Sequence, residues 1–270
     1  MDSPAIELSG VRHRYDAEDV LHGIDLTIEH GEIFGFLGPN GAGKTTLFDV
    51  ISGFLPIDRG DVLLDGASIA RLGPDARARR GLGRSFQDGR LFPALTVAET
   101  IAVACESQLE GRDPIADAFS LILPLGADVE EQIRDRVDEL IELLGLGAYR
   151  DKHMRELSTG SRRVVDLACV LAHKPTVLLL DEPSSGIAQR ETEALGPLLT
   201  RIRSMTGASL LVIEHDVPLL TSIADRMIAL DLGEIVAVGA PLDVVRDPRV
   251  VASYLGESEA VVARSGPRSG

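Results

Sequence analysis

The chain has 270 residues, 44% of them hydrophobic, and a formal net charge of −15 from 27 Lys and Arg against 42 Asp and Glu. That supplies a core for one large domain, or for a core domain with a smaller insert, and 4% aromatics with no Trp point to aliphatic α/β packing. Such acidity excludes a general nucleic-acid or anionic-lipid surface, because both demand clustered Lys and Arg, but it leaves room for a local basic patch around a phosphate.

Met1-Asp2-Ser3-Pro4 carries neither the charged nor the apolar segment of a signal peptide. No apolar run approaches the roughly 20 residues that span a bilayer. The chain is therefore expected to be soluble and cytoplasmic, with any membrane role supplied by a partner. Residues Ala5–Tyr15 and Leu21–Ile28 alternate apolar and polar positions, as half-buried antiparallel strands do. Glu32–Leu37 is a compact apolar run that meets a Gly-rich turn and then a helix from Gly43 to Ser52. Gly60–Asp65 reads as a strand closed by a turn at Gly66, Pro74–Arg80 as a short basic helix, and Leu82–Phe86 as a strand leading to Gln87.

From Thr96 the pattern becomes helical. Thr96 with Glu99 makes a capping box. Ile133, Val137, Leu140, Ile141 and Leu144 then share one helix face. Glu110-Gly-Arg-Asp-Pro114 reads as a loop between helices, and the helical stretch runs roughly over Gly89–Leu157. Cys105 and Cys169, the only cysteines, lie in aliphatic stretches and are expected as small buried hydrophobes, with no metal-ligand spacing and no disulfide framework.

Thr176–Asp181 and Ala208–Ile213 are continuous apolar strands of the kind buried on both faces in parallel sheets. Between them Leu195, Leu198, Leu199, Ile202 and Met205 mark an amphipathic helix. Arg226–Leu230 and Glu234–Val238 are shorter strands meeting near Gly233, and Val244–Leu255 is a closing helical element. The polar tail from Glu257 is expected to be disordered.

Chemistry concentrates in a few places. Gly38-Pro-Asn40-Gly41-Ala-Gly43-Lys44-Thr45-Thr46 fits a phosphate-binding loop between a strand and a helix. Glycines let backbone N–H groups face phosphate oxygens, and the helix adds its positive end. Lys44 is placed as a point charge on the β- and γ-phosphates, and Thr45 offers a hydroxyl to Mg²⁺. The apolar strand Val177–Asp181 ends in Asp181 and Glu182. Asp181 suits a cation held through water, and Glu182 suits a base that polarises an attacking water. Adjacent acids at a strand end are ordinarily just solvated; the phosphate loop upstream is what gives these two a role. Together they indicate a P-loop nucleotide hydrolase without saying which kind.

Leu157-Ser158-Thr159-Gly160-Ser161-Arg162-Arg163 opens a helix just before the acidic strand. It resembles the signature of ABC ATPases, whose Ser and Gly hold the γ-phosphate bound to the opposite subunit, although Ser-Thr-Gly is also an ordinary N-cap. Gln87 is similar to the glutamine that links Mg²⁺ to the membrane partner, and His215 to the histidine that contacts the γ-phosphate. Tyr15 stands where that family stacks an aromatic on adenine; a strand-end core tyrosine is the alternative.

The resemblance to ABC ATPases covers Ile6 to about Gly256. More narrowly, Arg84-Ser-Phe-Gln87-Asp-Gly-Arg-Leu-Phe-Pro-Ala-Leu-Thr-Val, Ile213-Glu-His-Asp216 and Asp247-Pro-Arg-Val-Val-Ala-Ser-Tyr-Leu-Gly256 resemble the ATPases of branched-chain amino-acid (Liv-type) importers. It implies an α/β P-loop NTPase of the ABC type over residues 1–256: a mixed sheet core with an antiparallel β subdomain and a helical signature subdomain inserted at about 89–165, followed by a tail over 257–270. It implies ATP and Mg²⁺, a second ABC ATPase subunit in a homo- or heterodimer, transmembrane permease subunits and no nucleic acid. The site would contain Tyr15, Gly38, Asn40, Gly41, Gly43, Lys44, Thr45, Thr46, Gln87, Ser158 and Gly160 around the nucleotide. Glu182, His215 and Lys44 would serve catalysis, and Thr45, Gln87 and Asp181 the metal. The chain would lie on the inner face of the cell membrane through its permease. Thr159, Ser161 and Ala188 depart from the family pattern and put inter-subunit coupling in doubt. An exporter's ATPase, or a weakly hydrolysing regulatory partner, is the alternative.

Overall fold

Strand β3 (Ile33–Leu37) is buried at every residue and explains the layering around it. Ile33 and Leu37 face one apolar core, while Phe34 and Phe36 face another. Period-2 side-chain alternation makes this possible, and a strand buried on both faces must be apolar throughout. The computed structural model describes residues 3–16, 18–85, 92–110, 127–187 and 189–254. Gln87, Ala188, the proposed loop from Gly111 to Pro114 and the tail from Glu257 lie outside them.

Six strands form the main sheet in the order β10 (Glu234–Gly239), β9 (Arg226–Asp231), β3, β8 (Ser209–Ile213), β7 (Val177–Asp181) and β6 (Leu82–Arg84). Every neighbour pair is parallel except β9 with β10. A second, antiparallel sheet has the order β2 (Glu18–Ile28), β1 (Ile6–Tyr15), β4 (Arg59–Leu64), β5 (Ala67–Ser68). It packs over Phe34, Phe36, Leu179, Leu211 and Ile228 together with helix α1 (Lys44–Ser52). Phe36 meets Phe34 and Phe48 edge-on, with ring centroids 5.4 and 5.1 Å apart, a geometry worth about 0.5–1.5 kcal/mol per pair beyond area burial.

The opposite face of the main sheet is covered by helices. These include α3 (Val97–Glu110), α4 (Ala127–Leu143), α5 (Thr159–Ala172), α6 (Gln189–Thr206) and α7 (Val217–Ile223). The Thr96–Glu99 capping box forms: Glu99 Oε2 accepts from the Thr96 N–H at 2.8 Å, and Thr96 Oγ1 accepts from the Glu99 N–H at 3.2 Å. Cys105 is buried, Cys169 is partly buried, and both are free thiols.

Short helix α2 (Pro74–Ala78) carries a side chain that its sequence does not advertise. Arg77, 1% exposed, turns inward and donates to the carbonyls of Val50 and Ile51, each at 2.6 Å, and of Leu72 at 2.8 Å. It thereby serves carbonyls at the C-terminal end of α1, where Val50 O also accepts from the Gly53 N–H at 3.3 Å, and sets a cation against the negative pole of that helix.

Several boundaries differ from the sequence reading. β2 starts at Glu18 rather than Leu21, because the hairpin ladder continues to Tyr15 opposite Glu18. β6 ends at Arg84, where the guanidinium turns to Asp49 and Asp181. Glu110 belongs to α3 rather than to a loop. Met205 is 70% exposed and does not join the buried face of α6 formed by Leu195, Leu199 and Ile202. The closing element divides into α8 (Pro241–Arg246) and a segment over 248–254, since Pro248 disfavours helical geometry at Asp247.

Candidate functional site

Strands β3, β7 and β8 are parallel, so Gly38, the Asp181-Glu182 pair and His215 all emerge at one edge of the sheet. Ligands of open α/β sheets collect at this carboxyl edge. Just past β3 the chain turns through Gly38, whose φ is 153° and where a Cβ would stand 2.2 Å from the Leu230 carbonyl oxygen. Only glycine fits there. The turn ends at Gly43, the N-cap of α1, with φ 99° and no side-chain cap. The first N–H groups of α1 therefore face the concavity of the loop, as an anion site requires.

Lys44 is 6% exposed. Its Nζ donates to the carbonyls of Gly38 at 2.6 Å and Pro39 at 2.8 Å, which compensates the burial of an ammonium and presets its charge beneath the loop. Asn40, Gly41 and Thr45 are exposed on that loop, and Thr46 is half-buried. The Gly38 N–H donates to the hydroxyl of Tyr254 at 2.9 Å, tying the closing segment to the phosphate loop.

Asp181, at the end of β7, is 6% exposed. Its Oδ2 lies 3.6 Å from the Arg84 guanidinium, while Oδ1 is buried with no hydrogen-bond partner. Burial pushes this carboxyl above the usual range, against the lowering influence of Arg84. An orphaned carboxylate oxygen, at the same sheet edge as a phosphate loop bearing the Thr45 hydroxyl and separated from it by β8, is a hard oxygen set that fits Mg²⁺. That ion is ordinarily held by one or two protein ligands together with phosphates.

Glu182 has φ 49°, left-handed for a non-glycine residue and costing of order 1–3 kcal/mol. Its surroundings hold it there. The Glu182 N–H donates to Ile213 O at 3.0 Å, and Arg163 Nη1 reaches the carbonyls of Glu182 at 2.7 Å and Pro183 at 3.0 Å. Buried Glu214 accepts from both the N–H and the hydroxyl of Ser184, each at 2.7 Å. The outcome is a short contact: Glu182 Oε1 lies 2.9 Å from His215 Nε2.

Tyr15 is 47% exposed and meets His13 edge-on at 4.8 Å. Val20, on the facing strand of the hairpin, borders Gly43, its carbonyl oxygen 3.4 Å from where a Cβ would sit. Tyr15 thus stands exposed at the end of the same hairpin, opposite Glu18. Ser158 caps α5, accepting from the Ser161 N–H at 3.1 Å. Among the described residues its hydroxyl contacts Ser161 and Glu191 and nothing of the phosphate loop. Sequence reasoning missed Arg163, Glu214, Tyr254 and Glu191, each a single polar residue within an otherwise ordinary helical or strand-end pattern.

A family model described as ABC transporter matches residues 21–185. The chain belongs to the ABC transporter ATP-binding family. It is 32% identical over 258 residues to the high-affinity branched-chain amino acid transport ATP-binding protein BraF of Pseudomonas aeruginosa, covering 96% of this chain and 100% of that one. It is 34% identical to the lipopolysaccharide export system ATP-binding protein LptB of Haemophilus influenzae, across 90% of this chain and 93% of that one. Among solved structures, an ABC-transporter ATP-binding cassette in its ADP conformation superposes with a TM-score of 0.80 at 25% identity, over 95% of this chain and 99% of the other. The chain is thus an ATP-binding, ATP-hydrolysing subunit of the ABC-transporter type. Its two sheets and helical layer are the ABC P-loop fold.

Proposed function

We propose that this subunit drives a branched-chain amino-acid-type importer by clamping two ATP molecules between paired subunits. The observation that carries the catalytic half is the 2.9 Å contact of Glu182 with His215 at the edge that also bears Lys44 and Asp181. Alignment with BraF over that protein's whole length supports the cargo class, whereas PotA of Thermotoga maritima, a spermidine/putrescine import protein, is matched over only 65% of its length. The match to LptB keeps an exporter as the second reading.

Tyr15 stacks on adenine, and the backbone N–H groups of Asn40, Gly41 and Gly43 to Thr46, with the Lys44 ammonium, hold the phosphates. Asp181 and Thr45 hold Mg²⁺, with Gln87 assigned to it on sequence alone; when bound, the ion neutralises phosphate charge. Glu182 orients an attacking water and accepts its proton, and His215 holds the Glu182 carboxylate and meets the γ-phosphate. Catalysis is positioning and electrostatics on a preformed edge. Ser158 and Gly160 of a second subunit cover the γ-phosphate, so ATP bridges the dimer and hydrolysis removes the bridge.

Phe54, Phe92 and Val103 are exposed around a 450 Å³ groove that also touches Arg84. That groove suits a permease loop, because Arg84 reaches both α1 and Asp181 from its floor. No helix among the described residues is long and apolar enough to cross a membrane, which accords with peripheral attachment at the inner membrane face through the permease.

The test is reconstitution of the chain with its permease in proteoliposomes. ATP-driven uptake of leucine, isoleucine or valine is expected. Permease-stimulated ATP hydrolysis without such uptake would sink the cargo assignment and leave the transporter reading standing.

A further inference from the structure

Ser158 and Gly160 are assigned above to the γ-phosphate of a facing subunit, yet the ground they offer already holds an anion. Ser158 Oγ donates to Glu191 Oε1 at 3.0 Å. A Cβ on Gly160 would meet Glu191 Oε2 at 2.5 Å, Cδ at 2.6 Å and Oε1 at 2.9 Å, so the whole carboxylate lies against that glycine. Glu191 reaches there from the first turn of α6, while Ser158 and Gly160 open the 14-residue α5.

The chemistry of the two anions is the same. A carboxylate and a phosphate oxygen compete for one helix N-terminus and one hydroxyl donor. A serine hydroxyl has a single hydrogen to donate, so while Ser158 serves Glu191 it cannot serve a phosphate. A γ-phosphate carries more charge and more acceptor oxygens than a carboxylate and can displace it. A nucleoside diphosphate, ending one phosphate short, cannot.

We propose that Glu191 is a positioning residue that occupies the phosphate receptacle of the signature helix until the γ-phosphate of the facing subunit displaces it. The carboxylate thus raises the ATP concentration needed for closure and discriminates triphosphate from diphosphate. The inference rests on the ATP-clamp reading.

The experiment measures ATP-dependent dimerisation by light scattering in the Glu182→Gln background, chosen because removing the base should leave ATP bound and uncleaved. Adding Glu191→Gln keeps the shape and removes the charge. It should lower the ATP concentration at half-dimerisation by about two- to fivefold, the range expected for losing one anion at a helix N-terminus. Glu191→Ala should shift it the same way, with affinity of the monomer for a fluorescent ATP analogue unchanged. Partial dimerisation with ADP in the Glu191 variants would support the discrimination as well. If both variants dimerise as the parent does, or need more ATP, the gate is overturned and the carboxylate is supporting Ser158 instead. If Glu182→Gln alone fails to dimerise with ATP, the clamp fails, and the gate with it.

Discussion

The Glu182 carboxylate and the His215 imidazole meet at 2.9 Å across the ends of two neighbouring parallel strands, β7 and β8. The contact depends on a backbone turned into the left-handed region at Glu182 and held by the Arg163 guanidinium, Ile213 O and the Ser184–Glu214 pair. Replacing Glu182 with Gln keeps the shape and removes the base. Turnover should fall by about 10²–10⁴-fold, the usual contribution of a positioned acid–base group, with ATP still bound. Steady-state phosphate release checks it, and a near-normal rate would remove Glu182 from its role.

Arg163 bonds the carbonyls of both Glu182 and Pro183 and so fixes the backbone that carries the Glu182 side chain. Arg163→Met should let the Glu182 side chain drift, lowering kcat by about 10–100-fold as small misplacements do. ATP affinity should stay that of the parent. Equal losses in both quantities would mean that the substitution damages the fold.

Arg77 holds four carbonyl groups from inside the protein. Arg77→Met leaves several of them buried and unpaired, at ~1–3 kcal/mol each. A loss of about 3 kcal/mol or more should appear as a lower urea midpoint with an unchanged slope. Arg77→Lys should recover part of it, since a single ammonium cannot span the same acceptors.

The thiol of Cys169 is pushed up to about 12, first by burial and then by Asp166, and burial also raises that of Cys105. A raised thiol pKa withholds the reactive thiolate at neutral pH. Neither cysteine should react with an aromatic disulfide reagent at pH 8 in the native protein, and both should react in guanidinium. Prompt labelling of the folded chain would show an opening that reaches these sites.

Tyr254→Phe deletes the acceptor for the Gly38 N–H. About 1 kcal/mol should be lost, a Tm lower by ~2–4 °C for a chain of this size. Thermal melts with and without ATP read it directly.

Glycine positions and apolar runs announced the phosphate loop and strands β3, β7 and β8, because only glycine fits at Gly38 and only an apolar run fits a strand buried on both faces. Asp181 and Glu182 stand out only because a phosphate loop lies upstream of their strand, and His215 only through the resemblance to ABC ATPases. Arg163, Tyr254, Arg77 and Glu191 do not stand out. Each is one polar residue on a helix or closing segment, and its partner lies far away in sequence or is a backbone carbonyl with no residue signature. Met205 continued the spacing of its helix but lies on the rim, since periodicity fixes a face and not where the core ends.

The alternation along β3 has a thermal counterpart. Its even-numbered side chains belong to one core and its odd-numbered ones to the other, and β7, β8 and β9 divide in the same way. Neither core can melt without stripping half of the shared strands. The subunit should therefore show one calorimetric endotherm with equal calorimetric and van't Hoff enthalpies, and its slowest-exchanging amides should lie in these four strands. ATP held at the tip of β3 should raise that single transition as a whole.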